Sequence, residues 1–133
     1  MFDTPFPGEY AKYTANTGMA VIKTANAGLD GGGTMGDVIT GASNGTIIKS
    51  VTIEMQTRSL QGMVRLFVYD GTNTRLLREI EIPPRAKGTG TYPGFFKMIQ
   101  LNFFLKSGDV LRASTELADT YNVIAEGFDI TYP

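Results

Sequence analysis

The 133-residue chain contains no cysteine, no histidine and no tryptophan. Without cysteine there is no disulfide, no thiolate nucleophile and no thiolate metal ligand. Without histidine the commonest general base, the usual zinc ligand and the side chain that titrates near neutral pH are all missing. A Ser-His-Asp triad therefore cannot be assembled, and the lack of tryptophan removes the best stacking surface for a sugar. Charge is sparse as well. Charged residues are 19% of the chain, and 12 basic against 13 acidic groups leave a net charge of −1. A free monomer usually carries more charge than this, whereas a subunit of an assembly needs less. There is no basic stripe of the kind nucleic acid requires. No apolar run approaches the length of a membrane span. The opening segment Met1–Gly8 lacks both the basic and the apolar regions of a signal peptide. These absences point to synthesis in a cytosol without a cleavable export signal. Asn44-Gly45-Thr46 fits a glycosylation sequon, but in that setting it reads as a turn.

The residues that are present suffice for one core. Hydrophobic residues make up 42% of the chain, too many for disorder. Area scaling gives roughly 6,800 Å² exposed when folded, against roughly 21,000 Å² extended. Glycine, with 16 residues, and short β-rich runs dominate the pattern.

Residues 1–17 read as an extended N-terminal arm and residues 18–133 as a single β-sandwich domain. Pro5 and Pro7 hold the arm extended, and it carries Phe2, Phe6, Tyr10 and Tyr13. These aromatics need a pocket, either on their own domain or on a neighbouring subunit, and they form a candidate partner-binding arm. The first strand is expected over residues 18–24, followed by a glycine loop to Gly33 and a weak strand from Thr34 to Thr40. From Thr46 the pattern sharpens. Val51, Ile53 and Met55 alternate with Ser50, Thr52 and Glu54, the period of a half-buried strand. Met63–Tyr69 places Val64, Leu66 and Val68 on one face and Arg65, Phe67 and Tyr69 on the other. Asp70-Gly71 then predicts a hairpin into Thr74–Ile82, where Leu76, Arg78, Ile80 and Ile82 alternate with Glu79 and Glu81, so that Ile80 and Ile82 point inward. Phe95–Leu105, Val110–Leu117 and Asn122–Tyr132 complete the set, and Gly127 marks a bulge or a close backbone approach. Seven or eight strands with turns about every ten residues predict an all-β antiparallel sandwich, jelly-roll-like, with an immunoglobulin-like sandwich as the alternative.

Motifs for chemistry are weak. Gly31-Gly32-Gly33-Thr34-Met35-Gly36 fits G-x-G-x-x-G, but Asp37–Thr40 after it read as a strand, not the helix a dinucleotide needs. Asp30 and Asp37 flank that loop, yet glycines stand where calcium ligands are required. Glu79 and Glu81 share a strand face, close together as a glycosidase pair needs to be, but they read as solvated strand charges. Tyr92, Phe95 and Phe96 lie at a Pro-Gly loop and form a possible contact site for a partner or a sugar. No catalytic, metal-binding or cofactor-binding residue is assigned.

Five segments, in order, carry a family resemblance: Gly45-Thr46-Ile47-Ile48-Lys49-Ser50-Val51; Gly62-Met63-Val64-Arg65-Leu66-Phe67-Val68-Tyr69-Asp70-Gly71-Thr72-Asn73; Arg75-Leu76-Leu77-Arg78-Glu79-Ile80; Ser107-Gly108-Asp109-Val110-Leu111-Arg112-Ala113-Ser114-Thr115; and Asn122-Val123-Ile124-Ala125-Glu126-Gly127-Phe128-Asp129. The stretch from Gly45 to Asp129 resembles small β-sandwich virion proteins of tailed bacteriophages. The N-terminal third has no counterpart in that resemblance. It implies a non-enzymatic capsid decoration, or cement, protein with no cofactor. Such a protein binds the major capsid protein on the shell surface as a homo-oligomer, dimer or trimer, and contacts neither nucleic acid nor membrane. A tail, neck or head-fibre component, or a carbohydrate-binding sandwich module, are the alternative readings.

Overall fold

A computed structural model describes residues 11–55, 62–83 and 96–132. Eight strands run in chain order: β1 (Lys12–Ile22), β2 (Gly36–Thr40), β3 (Thr46–Met55), β4 (Gly62–Tyr69), β5 (Thr74–Ile82), β6 (Phe96–Leu105), β7 (Val110–Thr115) and β8 (Tyr121–Thr131). They form two four-stranded antiparallel sheets, ordered β1-β8-β3-β6 and β2-β7-β4-β5. Strand β1 pairs with β8, β2 with β7, β3 with β6 and β4 with β5. This nested pairing is one long hairpin rolled over on itself, the order of an eight-stranded jelly roll.

The alternation seen in the sequence is the alternation that packs. Val51, Ile53 and Met55 face Val64, Leu66, Ile80 and Ile82 across the core, and Leu111, Ala113, Val123 and Ala125 fill the middle. Each Val, Ile or Leu closed off in this way stabilises the fold by about 1.5–3 kcal/mol. Arg65 and Phe67 are buried as well, so the middle of β4 is covered on both faces.

The Asp70–Asn73 turn joins β4 to β5 as expected. The Asp70 carboxylate accepts from the Thr72 and Asn73 amides at 2.9 and 2.7 Å, and Gly71 takes the positive φ of 95° that the turn needs. At Gly127 an added Cβ would collide with the Ile47 carbonyl. The close approach expected there lies beside a bulge where Lys49 has no counterpart on β8.

Two expectations shift. The first strand starts at Lys12, not Gly18, and Lys12–Thr17 pair with Glu126–Thr131. Residues 12–17, Tyr13 among them, therefore belong to the sheet and not to an arm, because β8 satisfies their backbone groups. Residues 1–10, with Phe2, Phe6 and Tyr10, lie outside the described residues. In β5 a bulge sets Leu66 opposite Arg78 and Phe67 opposite Leu76. The register slips by one, so Leu77 packs against the core and Leu76 is exposed.

Candidate functional site

The two outer faces of the sandwich differ sharply. On the β2-β7-β4-β5 side Arg65 and Arg112 are both paired with carboxylates. Arg65 Nε donates to Glu79 Oε2 at 2.8 Å, with Glu116 at 3.8 Å from the same guanidinium. Arg112 Nε donates to Asp37 Oδ1 at 2.8 Å, and its guanidinium lies 4.0 Å from the centre of the Tyr69 ring. Arg65 Nη1 and Ser114 Oγ, cross-strand neighbours, are buried without a hydrogen-bond partner among the described residues.

Three of the four carboxylates singled out from sequence are accounted for, and Glu81 is exposed on β5. Glu79 is held by Arg65 and Asp37 by Arg112. Asp30 Oδ1 accepts from the Gly32 amide at 3.0 Å. The glycine loop is organised by the buried Asn26 side chain, which donates to the Gly32 and Thr34 carbonyls at 2.9 Å each. The loop runs directly into β2, so no helix N-terminus faces it. Among the described residues no three acidic side chains are grouped to hold a metal.

The β1-β8-β3-β6 side is different. Of ten large hydrophobic side chains exposed among the described residues, seven stand on this face: Tyr13, Met19, Val21, Phe96, Met98, Phe104 and Phe128. Strand register arranges them in rows across the sheet. One row is Ala15, Phe128, Ile47 and Phe104. The next is Thr17, Glu126, Ser50 and Gln100, with Lys49 bulging beside it. The third is Met19, Ile124, Thr52 and Met98, and the fourth is Val21, Asn122, Glu54 and Phe96. Met19 is 60% exposed, Met98 58% and Phe96 63%. Four strands about 4.8 Å apart, with a rise of about 3.3 Å per residue over the 11 residues of β1, give a flat footprint of roughly 600–700 Å². The polar Thr17 row divides the exposed apolar side chains on it into two patches, one around Phe128 and Phe104 and one around Met19 and Met98.

Of the aromatics proposed from sequence, the structure places Tyr13 and Phe96 on this one face, at opposite corners: Tyr13 pairs with Ile130 on β1–β8 and Phe96 with Glu54 on β6–β3. Tyr92 and Phe95 lie outside the described residues. Sequence reasoning missed Met19, Val21, Met98, Phe104 and Phe128. The runs that hold them are apolar on both parities, and only the tertiary arrangement decides which parity faces out. No protein-family model and no curated protein matches the chain.

Proposed function

We propose that this chain is a non-enzymatic structural subunit of a tailed-bacteriophage virion, a capsid decoration protein that binds the major capsid protein on the outer shell as a homo-oligomer. The observation that carries the reading is the apolar outer face of the β1-β8-β3-β6 sheet. A surface of that kind is covered by other protein in the working state. The order of segments between Gly45 and Asp129, which resembles phage virion sandwiches, supplies the identity of the assembly. Many copies on a lattice turn a modest contact into a durable one. In this reading residues 1–10, with Phe2, Phe6 and Tyr10, are the arm that reaches the neighbouring subunit or shell. A tail, neck or head-fibre position uses the same face in fewer copies. A carbohydrate-binding module fits less well, since Ala15 and Ile47, rather than hydrogen-bonding groups, share the row of Phe128 and Phe104.

The test is cryo-electron microscopy of particles from the parent phage. Density for the sandwich repeated over the shell is the expected result. Density at one vertex or on the tail moves the protein to that position, and absence from the particle overturns the virion reading. A variant lacking residues 1–10, which keeps β1 whole, is expected to lose shell binding.

A further inference from the structure

We propose that the apolar sheet face packs against the same face of a second copy of this chain, about a two-fold axis lying in the interface and parallel to β8 and β3. A face-to-face isologous contact requires its axis in the plane between the two molecules. An axis along the strands lays each cross-strand row on itself with the strand order reversed. Strand β1 then lies over β6 of the second copy, and β8 over β3.

Such a contact is favoured where rows read the same in polarity from both ends; three of the four rows do, and the Met19 row matches at its ends while setting Ile124 over the partner's Thr52. The Ala15 row is apolar throughout, and the Thr17 row is polar throughout. The Met19 row ends in a methionine on each side. The Val21 row is apolar at both ends and polar at both central positions, Asn122 and Glu54. Size is complementary too: small Ala15 meets the partner's Phe104. Charge selects the axis. Glu126 comes over the partner's Ser50, beside the partner's Lys49. An axis turned by a right angle, along the Thr17 row, would instead set Glu126 against the partner's Glu126. Among the described residues neither Lys49 nor Glu126 forms an ion pair within its own chain. The footprint of roughly 600–700 Å², with side-chain relief added, matches the roughly 800 Å² per partner of a stable interface. The proposal names the homo-oligomer contact of the reading above, and it is tested without particles, so its failure is distinct from absence of the chain from the virion.

The test is sedimentation velocity of the full chain over a concentration series. The expected mass is twice the chain's 14.4 kDa. Met19→Glu and Met98→Glu, both at exposed positions that leave the fold intact by circular dichroism, are each expected to weaken dimerisation at least ~100-fold, because each charge enters the interface twice. Lys49→Glu is expected to weaken it as well, and Lys49→Glu with Glu126→Lys to restore it to within a few-fold. Glu81→Lys, on β5 of the other sheet, should leave the dimer unchanged. A wild-type chain that stays monomeric at every concentration overturns the proposal, as does a dimer indifferent to both methionine variants. A trimer, or failure of the double charge swap to restore pairing, overturns the two-fold arrangement.

Discussion

The Thr46 hydroxyl donates to Asp129 Oδ1 at 2.7 Å, joining two residues 83 positions apart in the chain. The same oxygen accepts from the Asn16 amide at 3.0 Å. One carboxylate on β8 thus ties down both its neighbours, β1 and β3, at the end of the sheet. Thr46 is fully buried. Asp129→Ala strands its hydroxyl and is expected to cost about 1–3 kcal/mol in urea unfolding. Thr46→Val removes that hydroxyl but also takes the acceptor from the Ala42 amide at 2.9 Å, and should cost a comparable amount.

Arg65 is the buried member of its ion pair, and Glu79 the more exposed one. Removing the partner of a buried charge costs more than removing the charge itself. Glu79→Ala is therefore expected to destabilise by about 2–3 kcal/mol, and Arg65→Met by about 1 kcal/mol or less. Equal losses in a denaturant titration would show that the guanidinium is solvated.

Gly127→Ala forces a Cβ onto the Ile47 carbonyl, a backbone atom that cannot swing aside. Overpacking of that sort is expected to cost about 1–3 kcal/mol or more. Gly108→Ala, at a positive φ of 81° but with open space around it, should cost only about 1 kcal/mol. The two melting temperatures should fall in that order.

Burial, with the Asp119 carboxylate adding to it, pushes the Tyr121 phenol from 10.0 up to about 12. The folded protein holds this proton after the unfolded chain has released it. The stability from this group is complete below pH 10.0 and is lost as pH rises through about 12. Tyr121→Phe should flatten the alkaline decline, and the variant should lack the latest phenolate to appear in an ultraviolet titration.

At the acid end the Thr72 and Asn73 amides, with Arg75 nearby, hold the Asp70 carboxyl below its usual 3.8. Its contribution is present above pH 3.8 and fades as pH falls through the lower folded-state value. Asp70→Ala should blunt the acid limb of the stability profile and leave the alkaline limb untouched.

Strands that bury one face and wet the other were legible from their residues alone. In β3 and β7, inward Val, Ile, Leu and Ala alternate with polar neighbours, and the Asp70-Gly71 turn announces itself. Strand β1 was half hidden. Its inward positions include Thr14, Asn16 and Gly18, too small or polar to show a period, and Gly18 is there because a Cβ would strike the Val38 carbonyl. The Leu76/Leu77 slip was invisible because either leucine satisfies the pattern. The apolar face could not be read at all from single strands. Met19, Ile124 and Met98 come from three distant segments, and only their register makes them one row.

The nested pairing also sets the order in which the molecule can be made. Of the four nested pairs, only β4 and β5 are consecutive in the chain and joined by a tight turn. Every other pair wraps around that hairpin, and β1, the first strand to leave the ribosome, waits for β8, the last. Until β8 arrives, β1 has no partner and the edge of β3 stays open, with Met19 and Val21 on a strand that has nothing to pair with. Closure of the roll is therefore a late, long-range event, which slows folding. The growing chain is most prone to sticking to other chains through the same strands that later present its apolar face.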